Sequence, residues 1–109
     1  MFQITLNIES FSHLQMIDIT RNIEQIINEN GLISGLCHVY IPHTTAGVTI
    51  NEGADPNVQQ DILRGLDCMV PSDIKYRHME GNSRSHIMAS LIGSSVSVVV
   101  HKGQLQLGT

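Results

Sequence analysis

Hydrophobic and polar positions alternate cleanly at the start of the chain. Phe2, Ile4, Leu6 and Ile8 share one parity, and Gln3, Thr5, Asn7 and Glu9 the other, so residues 2–9 read as a half-buried strand. Ser10 to Ser12 breaks the alternation. The spacing then lengthens to Met16, Ile19, Ile23 and Ile26, which predicts a helix with Ser12 as N-cap and Asn30-Gly31 as its end. The helix is rich in β-branched residues, so its stability must come from laying the isoleucine stripe on a sheet. From Ile33 to Ile41 the chain is apolar and β-branched, a strand closed by Pro42, whose nitrogen cannot donate to a ladder. His38 inside it is expected to be a hydrogen-bonded core or interface residue.

A further strand is expected over 45–51, with Ala46, Val48 and Ile50 on one face and Thr45, Thr49 and Asn51 on the other. That polar face lacks long charged side chains and leaves room for a ligand. Asp55-Pro56 announces a helix by cap and first-turn proline. Val58, Ile62, Leu66 and Met69 form its buried stripe, Gly65 offers a close backbone approach, and Pro71 ends it. Residues 72–85 show no periodicity and read as a loop. The run from His86 to Ile92 reads as one or two helical turns that put His86 and Ser90 on one face, or as a short strand, and Gly93 closes it. Ser95 to Val100 is a valine-rich strand, Lys102-Gly103 a tight turn, and Gln104 to Leu107 its hairpin partner. The elements add up to an α+β domain.

Composition narrows the function. A chain of 109 residues is one domain, and the pairing of 41% apolar with only 15% charged residues favours a subunit interface over a free monomer. A net charge of -4 without a Lys/Arg cluster argues against nucleic acid. No apolar run is long enough to span a bilayer and no leader opens the chain, which places it in the cytoplasm with no membrane contact. Cys37 and Cys68 lack Cys-x-x-Cys spacing and sit in apolar surroundings, so both read as buried free thiols. There is no Walker loop, Gly-x-Ser-x-Gly elbow, dinucleotide-binding glycine pattern or Asp-rich magnesium motif.

Two polar runs remain, 43–56 and 78–86, and they are expected to converge. His43, His78 and His86 lie in or beside them, and three imidazoles with an open fourth position form a known catalytic metal arrangement. The expected cofactor is a divalent metal, zinc or magnesium, against the alternative of separate hydrogen-bonding roles. Glu52 and Glu80 are the acid-base candidates, or orient the imidazoles, with His86 a third catalytic candidate. Free amides near Gly81 to Ser83 could hold an anion. Thr44, Thr45, Asn51, Asn82 and Ser90 are the small polar groups left to contact a bound ligand, expected to be a phosphorylated small molecule.

The same residues carry a resemblance. Pro42-His43-Thr44-Thr45-Ala46, Asn51-Glu52 with Asp55-Pro56, Tyr76-Arg77-His78, Glu80-Gly81-Asn82, His86 and Gln106-Leu107-Gly108-Thr109 follow one another as in the YjbQ-like family. The resemblance implies a β-sandwich-like α+β fold of mixed or antiparallel sheets with two main helices, assembled as a homotrimer. It also implies a weak, secondary thiamine-phosphate synthase activity, a transferase reaction that joins a pyrimidine diphosphate to a thiazole phosphate and releases pyrophosphate. The residues carried over are His43, Asn51, Glu52, Asp55, His78, Glu80, Asn82 and His86. The chain departs from the pattern at Met79, where an extra acidic residue is common, and at Arg84-Ser85 before His86. Family members also continue with a tryptophan and another strand, and this chain has no tryptophan, so a single domain over 1–109 lacking that last strand is expected.

Overall fold

The computed structural model describes residues 1–108. Its centre is an antiparallel sheet in the order β1-β2-β3, built from Gly35–Tyr40, Ser95–His101 and Gln104–Leu105. β1 and β2 pair from Gly35 opposite Val100 to Tyr40 opposite Ser95. Period two then sorts the side chains. Val98 and Val100 turn inward and are buried, while Leu36, Tyr40 and Val99 are 65%, 61% and 55% exposed on the other face. The turn to β3 has Lys102 at φ 51° and Gly103 at φ 73°, the left-handed pair that matches the twist of a two-residue hairpin. β3 is shorter than the pattern predicts, covering Gln104–Leu105, and Gln106 adds one bond to the Val99 carbonyl in the same register.

Three helices accompany the sheet: α1, Thr20–Glu29; α2, Pro56–Met69; and α3, Ser83–Ile92. The isoleucine stripe of α1 is as read, with Ile19, Ile23 and Ile26 half-buried and Ile27 fully buried. Its start is not. Ser12 caps nothing, because its amide and that of Phe11 donate to Gln15 Oε1 in a local turn. The helix begins eight residues later, where Asp18 Oδ1 accepts from the Thr20 amide at 3.0 Å. In α2 the cap is as expected, Asp55 Oδ1 accepting from Asn57 at 2.9 Å with Pro56 in the first turn. Its stripe ends early, for Met69 is exposed and no residue of the helix is fully buried. Helical phasing resolves the 86–92 run as α3, which takes in Ser83 to Ser85 from the expected loop and stops at Gly93 with φ 101°.

The α+β class is therefore observed, and the sandwich is not completed within the chain. Among the described residues there is one three-stranded sheet with three helices. Residues 2–9 and 45–51 are not strands here, for a physical reason: a strand needs a neighbour for its ladder. Among the described residues no backbone hydrogen bond ties residues 2–9 to the others, and 45–51 make one, from Val48 to the Gly93 carbonyl. Phe2, Ile4, Leu6 and Ile8 are accordingly all exposed. The surface totals 8589 Å², whereas a folded monomer of this mass exposes about 6,000 Å². The radius of gyration is 15.9 Å, against about 13 Å for a compact domain of this length. The core is correspondingly small: Ile27, Val70, Met88, Val98 and Val100.

Both cysteines are free, as expected, but not both are buried. Cys37 is half-buried in β1, where desolvation raises its pKa, and Cys68 is exposed on α2. Cys68 is therefore expected to react with a maleimide before Cys37 near neutral pH, in peptide mapping of partially labelled protein, because the buried thiol holds less thiolate and is less accessible. Two glycines predict opposite changes. A Cβ on Gly47 would lie 2.8 Å from the Gly93 carbonyl oxygen and 3.0 Å from Ile92, so Gly47→Ala should lower stability by about 1–3 kcal/mol. Gly65 sits inside α2 with nothing within 4 Å of an added Cβ, so the expected close approach is absent. Gly65→Ala should raise stability by roughly 0.5–1 kcal/mol. Urea denaturation of both variants checks the pair.

Candidate functional site

The polar groups gather at the N-terminus of α3. His78 lies in the loop before it and His86 in its first turns, and their rings meet edge to face with centroids 5.2 Å apart. Glu80 Oε2 stands 3.9 Å from His78 Nε2 on the solvent side. Asn82 is the N-cap by position, yet its side chain accepts no hydrogen bond from the helix, and its Oδ1 is buried without a partner. Its carbonyl takes the amides of both Ser85 and His86. The first amides of α3 are thus left for water or an anion, next to two imidazoles.

The first polar run does not join them. The Val48 amide bonds to Gly93, so 43–48 lies against the C-terminal end of α3. His86 is seven residues earlier, roughly 10 Å along the helix axis. Thr44 and Thr45 form an exposed turn beside His43. Asn51 and Glu52 are engaged with each other, Asn51 Oδ1 accepting from the Glu52 amide at 2.8 Å. An added Cβ on the next residue, Gly53, would be 3.2 Å from Asp18 Oδ2, so Glu52 is carried towards the start of α1. There the Thr20 side chain and amide hold the Asp18 carboxyl below its usual pKa. Ser90 Oγ donates to the His86 carbonyl within α3, at 2.9 Å, and His38 Nδ1 lies 2.8 Å from Ser97 Oγ across the sheet.

Within one chain, then, the structure brings together His78, Glu80, Asn82 and His86, and leaves His43, Thr44, Thr45, Asn51 and Glu52 elsewhere. Among the described residues no three His, Cys, Asp or Glu side chains converge to hold a metal ion. A single chain does not fit the three-histidine cage, and an imidazole pair is what it offers.

Sequence reasoning passed over the residue that builds this corner. Arg84 Nε donates to the Val70 carbonyl at 2.9 Å, and Arg84 Nη2 donates to the Asp67 carbonyl at 3.2 Å and to the Asp67 carboxylate. The signal available was an arginine two residues before His86, in a chain with only six basic residues.

The chain matches the UPF0047 protein YjbQ-like family model over residues 4–109. It is 48% identical over 106 residues to the UPF0047 protein YugU of Bacillus subtilis, covering 96% of this chain and 80% of that one. It is 43% identical to a UPF0047 protein of Methanocaldococcus jannaschii over 87% of this chain and 69% of the relative. A crystal structure of an uncharacterized YjbQ/UPF0047 protein from Clostridium acetobutylicum superposes with TM-score 0.83 at 50% identity, covering 87% of this chain and 74% of that one. A YbjQ-like protein of unknown function from Sulfolobus solfataricus gives 0.87 at 26% identity, over 94% and 75%. No helix among the described residues is long and apolar enough to cross a membrane. With motif order, sequence and fold in agreement, the chain belongs to the UPF0047, YjbQ-like family.

Proposed function

We propose that the chain is one subunit of a homotrimeric enzyme of the cytoplasm that binds a phosphorylated small molecule at the N-terminus of α3. The observation that carries this reading is the His78–His86 pair beside the open amides of that helix, with Glu80 adjacent. Imidazoles supply hydrogen-bond donors and proton transfer near neutral pH, and the helix end favours a phosphate. Glu80 and His86 are the acid-base groups. His43, Thr44, Thr45, Asn51 and Glu52 reach this pocket from a second copy of the chain.

The surface supports the assembly. The exposed area exceeds that of a compact monomer by about 2,600 Å². A standard pairwise contact buries about 800 Å² per subunit, so the excess is large enough for contacts with two neighbours. A divalent metal, zinc or magnesium, belongs to this reading only with His43 from a neighbouring copy completing the ligand set. When bound, it would supply Lewis-acid charge against a phosphate. The reaction we propose is the family's secondary one, joining a pyrimidine diphosphate to a thiazole phosphate with release of pyrophosphate.

Pyrophosphate release from those two precursors tests the enzyme. We expect turnover in the wild type and a loss of at least about 100-fold in His86→Ala, the scale of a general acid-base group. Equal rates remove the enzyme reading, and phosphate binding without turnover leaves a non-catalytic binding module. Elemental analysis of protein kept from chelators should find metal in the wild type and none in His86→Ala. Sedimentation should give three times the 12.0 kDa chain mass, and a monomer alone would contradict the assembly.

A further inference from the structure

The two imidazoles come from different segments, a loop and a helix, and nothing in their own contacts explains why they meet. Both segments are tied to the same place. Tyr76, two residues before His78, donates its hydroxyl to the Pro71 carbonyl. Arg84, two residues before His86, donates to the carbonyls of Asp67 and Val70 and to the Asp67 carboxylate. All these acceptors belong to residues 67–71, the C-terminal end of α2 and its exit. A helix end leaves carbonyls unpaired and carries partial negative charge, so it suits a cation. α2 has no basic residue of its own in its last turn. Arg84 supplies that charge from another helix.

We infer that Arg84 and Tyr76 are positioning residues, which hang the His78 loop and the first turn of α3 from one carbonyl ledge and so set the His78–His86 geometry. The ledge is rigid because Val70 is 1% exposed, among the most buried side chains in the chain. His13 and Leu14 line the cleft beside Arg84 and Asp67; Asp67 is largely exposed, so the hold rests more on the bonds to the carbonyls than on the ion pair. The planar guanidinium fork matters as much as its charge, since one side chain serves two carbonyls and a carboxylate. Lysine keeps the charge and loses the fork. The inference deepens the functional reading above, but its test needs no substrate, metal or phosphate.

The test is histidine-selective NMR of the wild type, Arg84→Lys, Arg84→Met and Tyr76→Phe, with Gly47→Ala as a variant destabilised elsewhere. In the wild type the edge-to-face rings should give ring-to-ring cross-peaks between His78 and His86 and ring-current shifts on both. Arg84→Met should lose the cross-peaks, Arg84→Lys should keep them weakened, and Tyr76→Phe should shift His78 more than His86. His38, on the sheet, should stay unmoved in all of them, and Gly47→Ala should retain the wild-type pattern. If Arg84→Met is folded and keeps the His78–His86 cross-peaks, the inference fails. Should Arg84→Met not fold, unchanged His78 and His86 signals in folded Tyr76→Phe overturn it equally.

Discussion

The pairing of β1 with β2 is the constraint on which the rest of the structure depends. It joins segments about 60 residues apart and fixes which valines face inward, so that Val98 and Val100 are buried. A one-residue slip would exchange the buried valines for Ser97, Val99 and His101. Everything between the two strands is a long excursion from this ladder. α2 and α3 belong to that excursion, and Gly93, which accepts from Val48, returns the chain to β2. The histidine corner therefore lies outside the one extended ladder among the described residues. It has to be held by side-chain bonds to helix ends.

What the sequence made legible follows from this division. Local chemistry was readable wherever its partners are close in the chain: the Asp55 cap with Pro56, the Asn30-Gly31 stop, the Lys102-Gly103 turn and the valine strand all stand as read. Ser12 failed as a cap because the chain makes a local turn there, with the Phe11 and Ser12 amides donating to Gln15 Oε1, a contact that periodicity does not register. The alternations over 2–9 and 45–51 state a preference for a half-buried surface, and a preference becomes a strand only beside another strand. Among the described residues neither segment has such a neighbour, so the preference is not expressed as a strand.

The site was legible in part for the same reason. His78, Glu80, Asn82 and His86 are neighbours in sequence and in space, so one polar run identified them. His43 and Glu52 were grouped with them on chemistry alone, and their positions depend on the loop from Pro42 to Asp55, which meets the C-terminal end of α3 at Gly47 and Val48 and the start of α1 at Gly53. Arg84 was invisible as a builder because its acceptors are mostly main-chain carbonyls. No residue-type pattern announces a carbonyl ledge.

The exposed surface is largely apolar at two places. Leu36, Tyr40 and Val99 form an apolar patch on the uncovered face of the sheet, and residues 2–9 present an alternating face with no ladder partner. Both are surfaces that water disfavours and a neighbouring chain would cover. With five buried side chains among the described residues, the core is too small to fix the geometry of the histidine corner. The chain can fix it locally, through charge-assisted bonds to a helix end, and the Arg84 ledge is where that happens for the imidazole pair.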